Sequence, residues 1–161
     1  MAGGFSFSLR DIIRRFFARF KTPVLVEPST RLILTIWQKK LLNPSWYDHI
    51  EGFDAISIKC VDGDTFYHMR EVLAMSSIVL DKGLELHGWG FHYCLNREDA
   101  AKEAETAARA CKRMGASAYH WNAEKHWVGG KDPVGCGKVF AQTFKKLLPD
   151  VDLYANCFSS H

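Results

Sequence analysis

Long apolar runs are missing from this chain of 161 residues, because every hydrophobic stretch stops far short of the ~18 residues that a membrane-spanning helix needs. The net charge is only +3, which gives no support to nucleic-acid binding without a concentrated basic patch. No glycine-rich phosphate-binding motif follows a predicted strand, which argues against a nucleotide-binding domain. The hydrophobic share of 47% and the charged share of 24% are typical of one globular domain.

Paired cysteines are also missing. The number of cysteines is odd, and none of them forms a C-x-x-C pair. This pattern argues against a disulfide framework and against a zinc site made of cysteines, and it favours buried thiols in a reducing compartment. The five cysteines are Cys60, Cys94, Cys111, Cys136 and Cys157.

The first 30 residues differ from the rest. Residues 8–21 have helical periodicity with a stripe of isoleucine and phenylalanine, and residues 1–21 carry five basic side chains and one acidic side chain. The pattern predicts a basic amphipathic arm over residues 1–30, with residues 22–30 as its linker. The arm is a helix packed on the domain, a docking arm for a protein partner, or an interfacial membrane helix. Arginines interrupt any signal-peptide stretch, so we expect a cytoplasmic or virion-associated protein.

From residue 31 the chain alternates strands and helices. The apolar patterns predict helices over residues 43–50, 67–80, 96–114 and 137–147. Strands are predicted over residues 32–37, 54–60, 84–93, 117–124 and 152–158. This order defines an α/β domain with a parallel sheet of about five βα units. Two architectures fit: part of a (β/α)8 barrel, or a doubly wound, flavodoxin-like open sheet.

Polar and aromatic side chains follow the predicted strands, where parallel α/β folds form their sites. In the fourth strand His120, Asn122 and Glu124 share one face because side chains alternate. Glu124 is the candidate acid of a glycosidase, with Asp62 and Asp64 as candidates for the second carboxylate. A metal bound by histidines and Glu124 is disfavoured because the spacing matches no ligand motif, so we expect no metal and no cofactor. The candidate substrate-binding residues are Trp37, Trp89, His92, Tyr93, His120, Asn122 and Asn156.

The order of these features resembles the (β/α)8 barrels of lysozyme-type and related glycoside hydrolases from bacteria and phages. The similar segments are Ile36-Trp37, Ile58-Lys59, residues 89–93, Asn122-Ala-Glu124 and residues 154–160. The resemblance implies that residues 31–161 form the first five strands of an incomplete barrel. Where that family has Asp-x-Glu, this chain has Asn122, and an amide can neither act as a base nor carry negative charge.

The resemblance favours one function, and two alternative functions stay open. The first is a glycosidase-like domain, of a kind that phages also carry, that acts on or binds cell-wall or surface polysaccharide. The second is a non-catalytic structural or assembly protein that retains part of a hydrolase fold. The third is a doubly wound module for a small phosphorylated ligand. Apart from polysaccharide, we expect a protein partner or self-association through residues 5–21 and the open sheet edges, with no nucleic acid and no membrane contact.

Overall fold

The computed structural model describes residues 31–43, 45, 50, 52–123 and 131–156. The predicted arm over residues 1–30, most of the predicted helix over residues 43–50, and Glu124 lie outside the described residues. The division at residue 30 and the association through residues 5–21 therefore stay predictions. None of the helices in the described part is long and apolar enough to cross a bilayer.

The described residues form six strands and three α-helices. A single turn of 3-10 helix also covers Lys39–Leu41. The strands are β1 (Ile33–Ile36), β2 (Ala55–Asp62), β3 (Thr65–Phe66), β4 (Glu85–His92), β5 (Ala118–Ala123) and β6 (Asp152–Asn156). The helices are α1 (Met69–Asp81), α2 (Arg97–Met114) and α3 (Pro133–Leu147).

The strands join into one mostly parallel sheet with the order β1-β2-β4-β5-β6, and the short β3 pairs antiparallel with β2. Each long strand lies beside the long strand that precedes it in the chain, which is the order of a (β/α)8 barrel. The doubly wound alternative requires an order in which the first strand lies inside the sheet. The described sheet is not closed, because β1 and β6 each pair with one neighbour only.

The helices cover one face of this sheet, which we call the outer face. Helix α2 packs against both α1 and α3. Tyr119 of β5 stacks on Phe144 of α3 with ring centroids 5.3 Å apart, and Gly88 of β4 leaves room for the thiols of Cys60 and Cys111. Burial of apolar side chains between sheet and helices is the main stabilising contribution of this layer.

The helix ends follow from local chemistry. Helix α2 begins after Asn96, whose side chain accepts a hydrogen bond from the main-chain amide of Asp99, and it ends at Gly115 in the left-handed conformation. Helix α3 begins four residues earlier than the sequence pattern predicts, and that prediction was wrong at this boundary. Asp132 caps it by accepting from the amide of Gly135, and Pro133 occupies the first turn, where its missing N–H costs nothing.

Candidate functional site

The face of the sheet away from the helices, the inner face, collects polar and aromatic side chains in register. Ser57 pairs with His87 across β2 and β4. Further towards the carboxyl ends of the strands, Trp89 pairs with His120 across β4 and β5, and Asn122 pairs with Asn156 across β5 and β6. Seven residues line one cavity of about 140 Å³ on this face: Thr35, Trp37, Ser57, Trp89, His120, Asn122 and Asn156.

Two tryptophans form the aromatic wall of this inner-face cavity. The rings of Trp37 and Trp89 lie 4.8 Å apart and tilted by 55°. Trp89 is buried, and its indole Nε1 donates a hydrogen bond of 3.0 Å to the carbonyl oxygen of Ile36, which fixes the ring. Trp37 follows β1 and is 48% exposed. The cavity therefore has a fixed tryptophan at its base and a second tryptophan open to a ligand.

A chain of polar contacts runs across the floor of the inner face. Arg31 forms an ion pair of 2.6 Å with Glu85, and Glu85 Oε2 lies 3.3 Å from His87 Nε2. His87 Nδ1 lies 3.0 Å from His120 Nε2. Burial, followed by the proximity of His87, lowers the pKa of His120 to about 4, so His120 is neutral near neutral pH. A neutral imidazole both donates and accepts a hydrogen bond, which suits it to a hydroxyl-rich ligand.

Asp62 and Asp64 line a second cavity rather than the first. This cavity of about 230 Å³ also includes Tyr93, Asp99 and Glu103 among its lining residues. Asp62 Oδ2 accepts a hydrogen bond of 2.7 Å from Lys59 Nζ, and its Oδ1 accepts one of 3.0 Å from the hydroxyl of Tyr93. Burial and the contact with Asp62 raise the pKa of Tyr93. Asp62 is thus a carboxylate with a fixed orientation at the end of β2.

His92 lies on the outer face, apart from the predicted substrate-binding residues of the inner-face cavity. Its side chain is buried, with Nδ1 2.9 Å from Glu103 Oε2 and Nε2 2.6 Å from the hydroxyl of Tyr119. The reason is strand parity, because His92 is three residues from Trp89 and side chains alternate along a strand. The structure therefore brings together Trp37, Trp89, His120, Asn122 and Asn156, and it separates them from His92 and from Tyr93, which lines the second cavity.

Sequence reasoning missed several residues of the inner face, above all Ser57 and His87. Ser57 is 2% exposed, and its hydroxyl has no hydrogen-bond partner among the described residues. Such an orphaned buried hydroxyl on a cavity wall is a group that a ligand or a water molecule can satisfy. The alternation of side chains along a strand could have identified His87, because it lies two residues before Trp89 and therefore shares its face.

The fold can be compared with proteins of known structure. The sequence matches no protein-family model, and no curated protein is significantly similar to it. The catalytic domain of the endolysin Ply40 from bacteriophage P40 of Listeria monocytogenes has a similar fold, with a TM-score of 0.66 and 18% identity over 78% of this chain and 63% of that chain. The modular autolysin LytC from Streptococcus pneumoniae gives a TM-score of 0.63 and 13% identity over 78% of this chain and 32% of that chain.

A third similar structure is a GH36 α-galactosidase from Geobacillus stearothermophilus, with a TM-score of 0.54 and 8% identity over 79% of this chain and 27% of that chain. At these identities the likeness defines the fold alone. The chain has a glycoside-hydrolase-like α/β fold with an open sheet, and it spans about 63% of the endolysin domain. The predicted fold class is therefore confirmed.

Proposed function

We propose that this chain is a glycosidase-like domain that binds bacterial cell-wall polysaccharide in the inner-face cavity. The observation that carries the proposal is the exposed ring of Trp37 packed at a tilt beside the fixed ring of Trp89, with His120, Asn122 and Asn156 around the same cavity. A sugar ring has an apolar C–H face and a rim of hydroxyls, and this wall offers an aromatic face together with amide and imidazole groups.

The choice of polysaccharide rests on similar proteins. The phage endolysin domain and the pneumococcal autolysin share the fold, and LytC was also solved in complex with a synthetic peptidoglycan ligand. These likenesses support peptidoglycan as the first glycan to test on this chain.

Cleavage requires an acid, and we propose Glu124 for that role. In the sequence Glu124 directly follows Ala123, the last residue of β5, and a strand end beside an inner-face cavity is where (β/α)8 enzymes hold catalytic groups. The acid would protonate the leaving glycosidic oxygen. Asp62, which lines the neighbouring cavity, is the proposed second carboxylate, because Lys59 and Tyr93 hold it in one orientation. The Nζ atom of Lys59 also lies 5.5 Å from the centroid of the Trp89 ring in the inner-face cavity.

The binding proposal is tested by the Trp37→Ala variant. We expect at least a tenfold loss of affinity for isolated cell walls and for soluble peptidoglycan fragments, since an exposed aromatic face is removed from the cavity wall. Phe66→Ala is the matched control, because Phe66 is also an exposed aromatic residue and its ring lies near Arg109 and Arg113 of α2. Equal affinities in both variants and the wild type would refute the inner-face site.

The cleavage proposal is tested by the Glu124→Gln variant. We expect at least roughly a hundredfold loss of reducing-end release from cell walls with binding retained, because the amide keeps the shape and loses the proton. Glu105→Gln, on the exposed side of α2, is the control. Cleavage that is unchanged in Glu124→Gln would contradict this assignment.

A second candidate function is glycan binding without hydrolysis, as in an assembly protein that retains a hydrolase fold. Two observations favour it: Asn122 stands where the resembling family has an acid, and the ammonium of Lys59 neutralises Asp62 at 2.7 Å. In that case the wild type binds cell walls but releases no reducing ends. Asn122→Asp distinguishes the two, because a lost carboxylate is expected to raise or create activity when restored.

A further inference from the structure

Three metal-ligating side chains converge behind the sheet, away from the inner-face cavity. His92 and Cys94 come from the carboxyl end of β4, and Glu103 comes from the second turn of α2. Their ligand atoms all lie within 4.8 Å of one another, and all three residues are buried. Among the described residues, this is the one group of three or more histidine, cysteine, aspartate or glutamate side chains that come this close together.

The distances suit a transition-metal ion. His92 Nδ1 lies 2.9 Å from Glu103 Oε2, and Cys94 Sγ lies 3.4 Å from the same oxygen. Ligands on a tetrahedral zinc ion, with bonds of about 2.0–2.3 Å, are separated by roughly 3.3–3.7 Å. Glu103 Oε2 therefore lies within a few tenths of an ångström of these separations from both other groups, and the ligand atoms of His92 and Cys94 lie within 4.8 Å of each other. Imidazole, thiolate and carboxylate are all zinc ligands.

The surrounding contacts hold these ligands in place. The hydroxyl of Tyr119 lies 2.6 Å from His92 Nε2, the nitrogen that faces away from the other two ligands. Glu103 Oε1 accepts from the main-chain amide of Cys94 at 2.9 Å, and Oε2 accepts from that of Tyr93 at 3.1 Å. Metal-binding histidines and carboxylates are typically oriented by such outer contacts. Cys94 itself has a φ of +43°, a sparsely populated conformation for a cysteine.

The charge balance also favours a cation. Glu103 is buried, and its carboxylate oxygens accept hydrogen bonds from His92 and from the main-chain amides of Tyr93 and Cys94. Among the described residues the ion pairs give Glu103 no lysine or arginine partner. A buried charge is stabilised by pairing or by coordinating a metal.

A route for a cation reaches this group from solvent. Glu103 lines the 230 Å³ cavity together with Asp62, Asp64 and Asp99, and Lys102 is the one cationic side chain among the lining residues. A cavity lined by carboxylates raises the local concentration of cations.

We propose that His92, Cys94 and Glu103 bind one zinc ion, which joins the end of β4 to α2. Binding releases the thiol proton of Cys94 to solvent, because only the thiolate is a ligand. His92 then carries its proton on Nε2 and donates it to the hydroxyl oxygen of Tyr119, which leaves Nδ1 for the metal. A water molecule from the cavity completes the tetrahedral coordination.

The test uses the untagged full chain, with Co²⁺ as a spectroscopic substitute for zinc. We expect one metal ion per chain after growth with added zinc, and, after exchange to Co²⁺, a thiolate-to-cobalt charge-transfer band in the near ultraviolet. Cys94→Ser should lose this band. Cys111→Ser, which alters another buried cysteine on the outer face, should retain it.

Glu103→Gln provides a second variant if Cys94→Ser does not fold, and it should weaken Co²⁺ binding at least tenfold because a charged ligand is replaced by an amide. The proposal is overturned if the wild type shows no charge-transfer band with Co²⁺, or if the band persists in Cys94→Ser. It is also overturned if folded Glu103→Gln binds Co²⁺ as tightly as the wild type. None of these readouts depends on glycan binding or hydrolysis.

Discussion

Strands β4 and β5 support two polar networks, one on each side of the same sheet. On the inner face, His87 contacts His120 beside a cavity that is open to a ligand. On the outer face, His92 and Tyr119 contact Glu103 in a site that is buried under the helices. His87 and His92 lie five residues apart on one strand, so alternation sends them to opposite faces.

The two networks differ in how completely their groups are satisfied. On the outer face, Glu103 accepts from His92 and from two main-chain amides, as burial requires. On the inner face, the hydroxyl of Ser57 is buried without a partner among the described residues. A satisfied network of this kind stabilises the fold even without a bound ion, whereas an unsatisfied cavity wall indicates a surface that meets a glycan. The expected outcomes below separate these two roles.

The largest effect is expected from Glu103→Ala. It removes the acceptor of His92 and of two main-chain amides in a buried site, and each buried donor left without an acceptor typically costs about 1–3 kcal/mol. Chemical denaturation of the metal-free protein should show this loss. Glu105→Ala, two residues along the same helix on its exposed side, should change the free energy of unfolding by less than about 0.5 kcal/mol. If both variants change the free energy of unfolding by similarly small amounts, the outer network does not contribute appreciably to stability.

Gly90→Ala should destabilise the outer face by about 1–3 kcal/mol. The added methyl group would collide with the Cγ2 atom of Val61 and with the hydroxyl of Tyr119, and strand β4 would have to shift. Gly88→Ala is the graded comparison, because its methyl group would lie 3.1 Å from the thiols of Cys60 and Cys111, where a small adjustment suffices. Thermal unfolding should therefore rank the wild type above Gly88→Ala and Gly88→Ala above Gly90→Ala.

Acid should destabilise the protein through both networks. The pKa of His120 is about 4 in the fold and 6.5 for an unperturbed histidine, so between these values the unfolded chain binds more protons than the folded chain. Stability is therefore expected to fall as the pH is lowered from about 6.5 to about 4. His92, whose pKa burial also lowers, contributes with the same sign.

The variant His120→Gln separates the two contributions to acid sensitivity. This variant should make the unfolding free energy depend less steeply on pH, and the slope that remains should be the contribution of His92. Denaturation curves recorded across this pH window measure the slope. Slopes that are the same in the variant and the wild type would mean that His120 titrates normally in the fold.

The smallest change in stability is expected for Asn156→Ala on the inner face. Asn156 is exposed on the edge strand β6, and surface substitutions usually stay within about 0.5 kcal/mol. If the proposed glycan site is correct, affinity for cell walls should nevertheless fall, because an amide of the cavity is lost. A large destabilisation with unchanged affinity would reverse the roles assigned to the two faces.

The sequence by itself determined the order of elements and much of the site chemistry. The period of the apolar residues predicted the alternation of strands and helices, and Asn96 with Gly115 marked the ends of α2. These features are local, because capping and side-chain alternation depend on neighbours in the chain. For the same reason the residues after the strands could be named as one candidate site, with Trp37, Trp89 and Asn122 among them.

Only the tertiary structure decided which of those residues meet. The strand order distinguished part of a barrel from a doubly wound sheet, and local patterns are the same in both. Asp62 pairs with Phe91 rather than with His92, because the register of β2 and β4 breaks between Lys59 and Val61, and it lines a different cavity from His120. The contact of His92 with Glu103 joins a strand to the following helix, and such contacts depend on how α2 packs across the sheet rather than on any spacing in the chain.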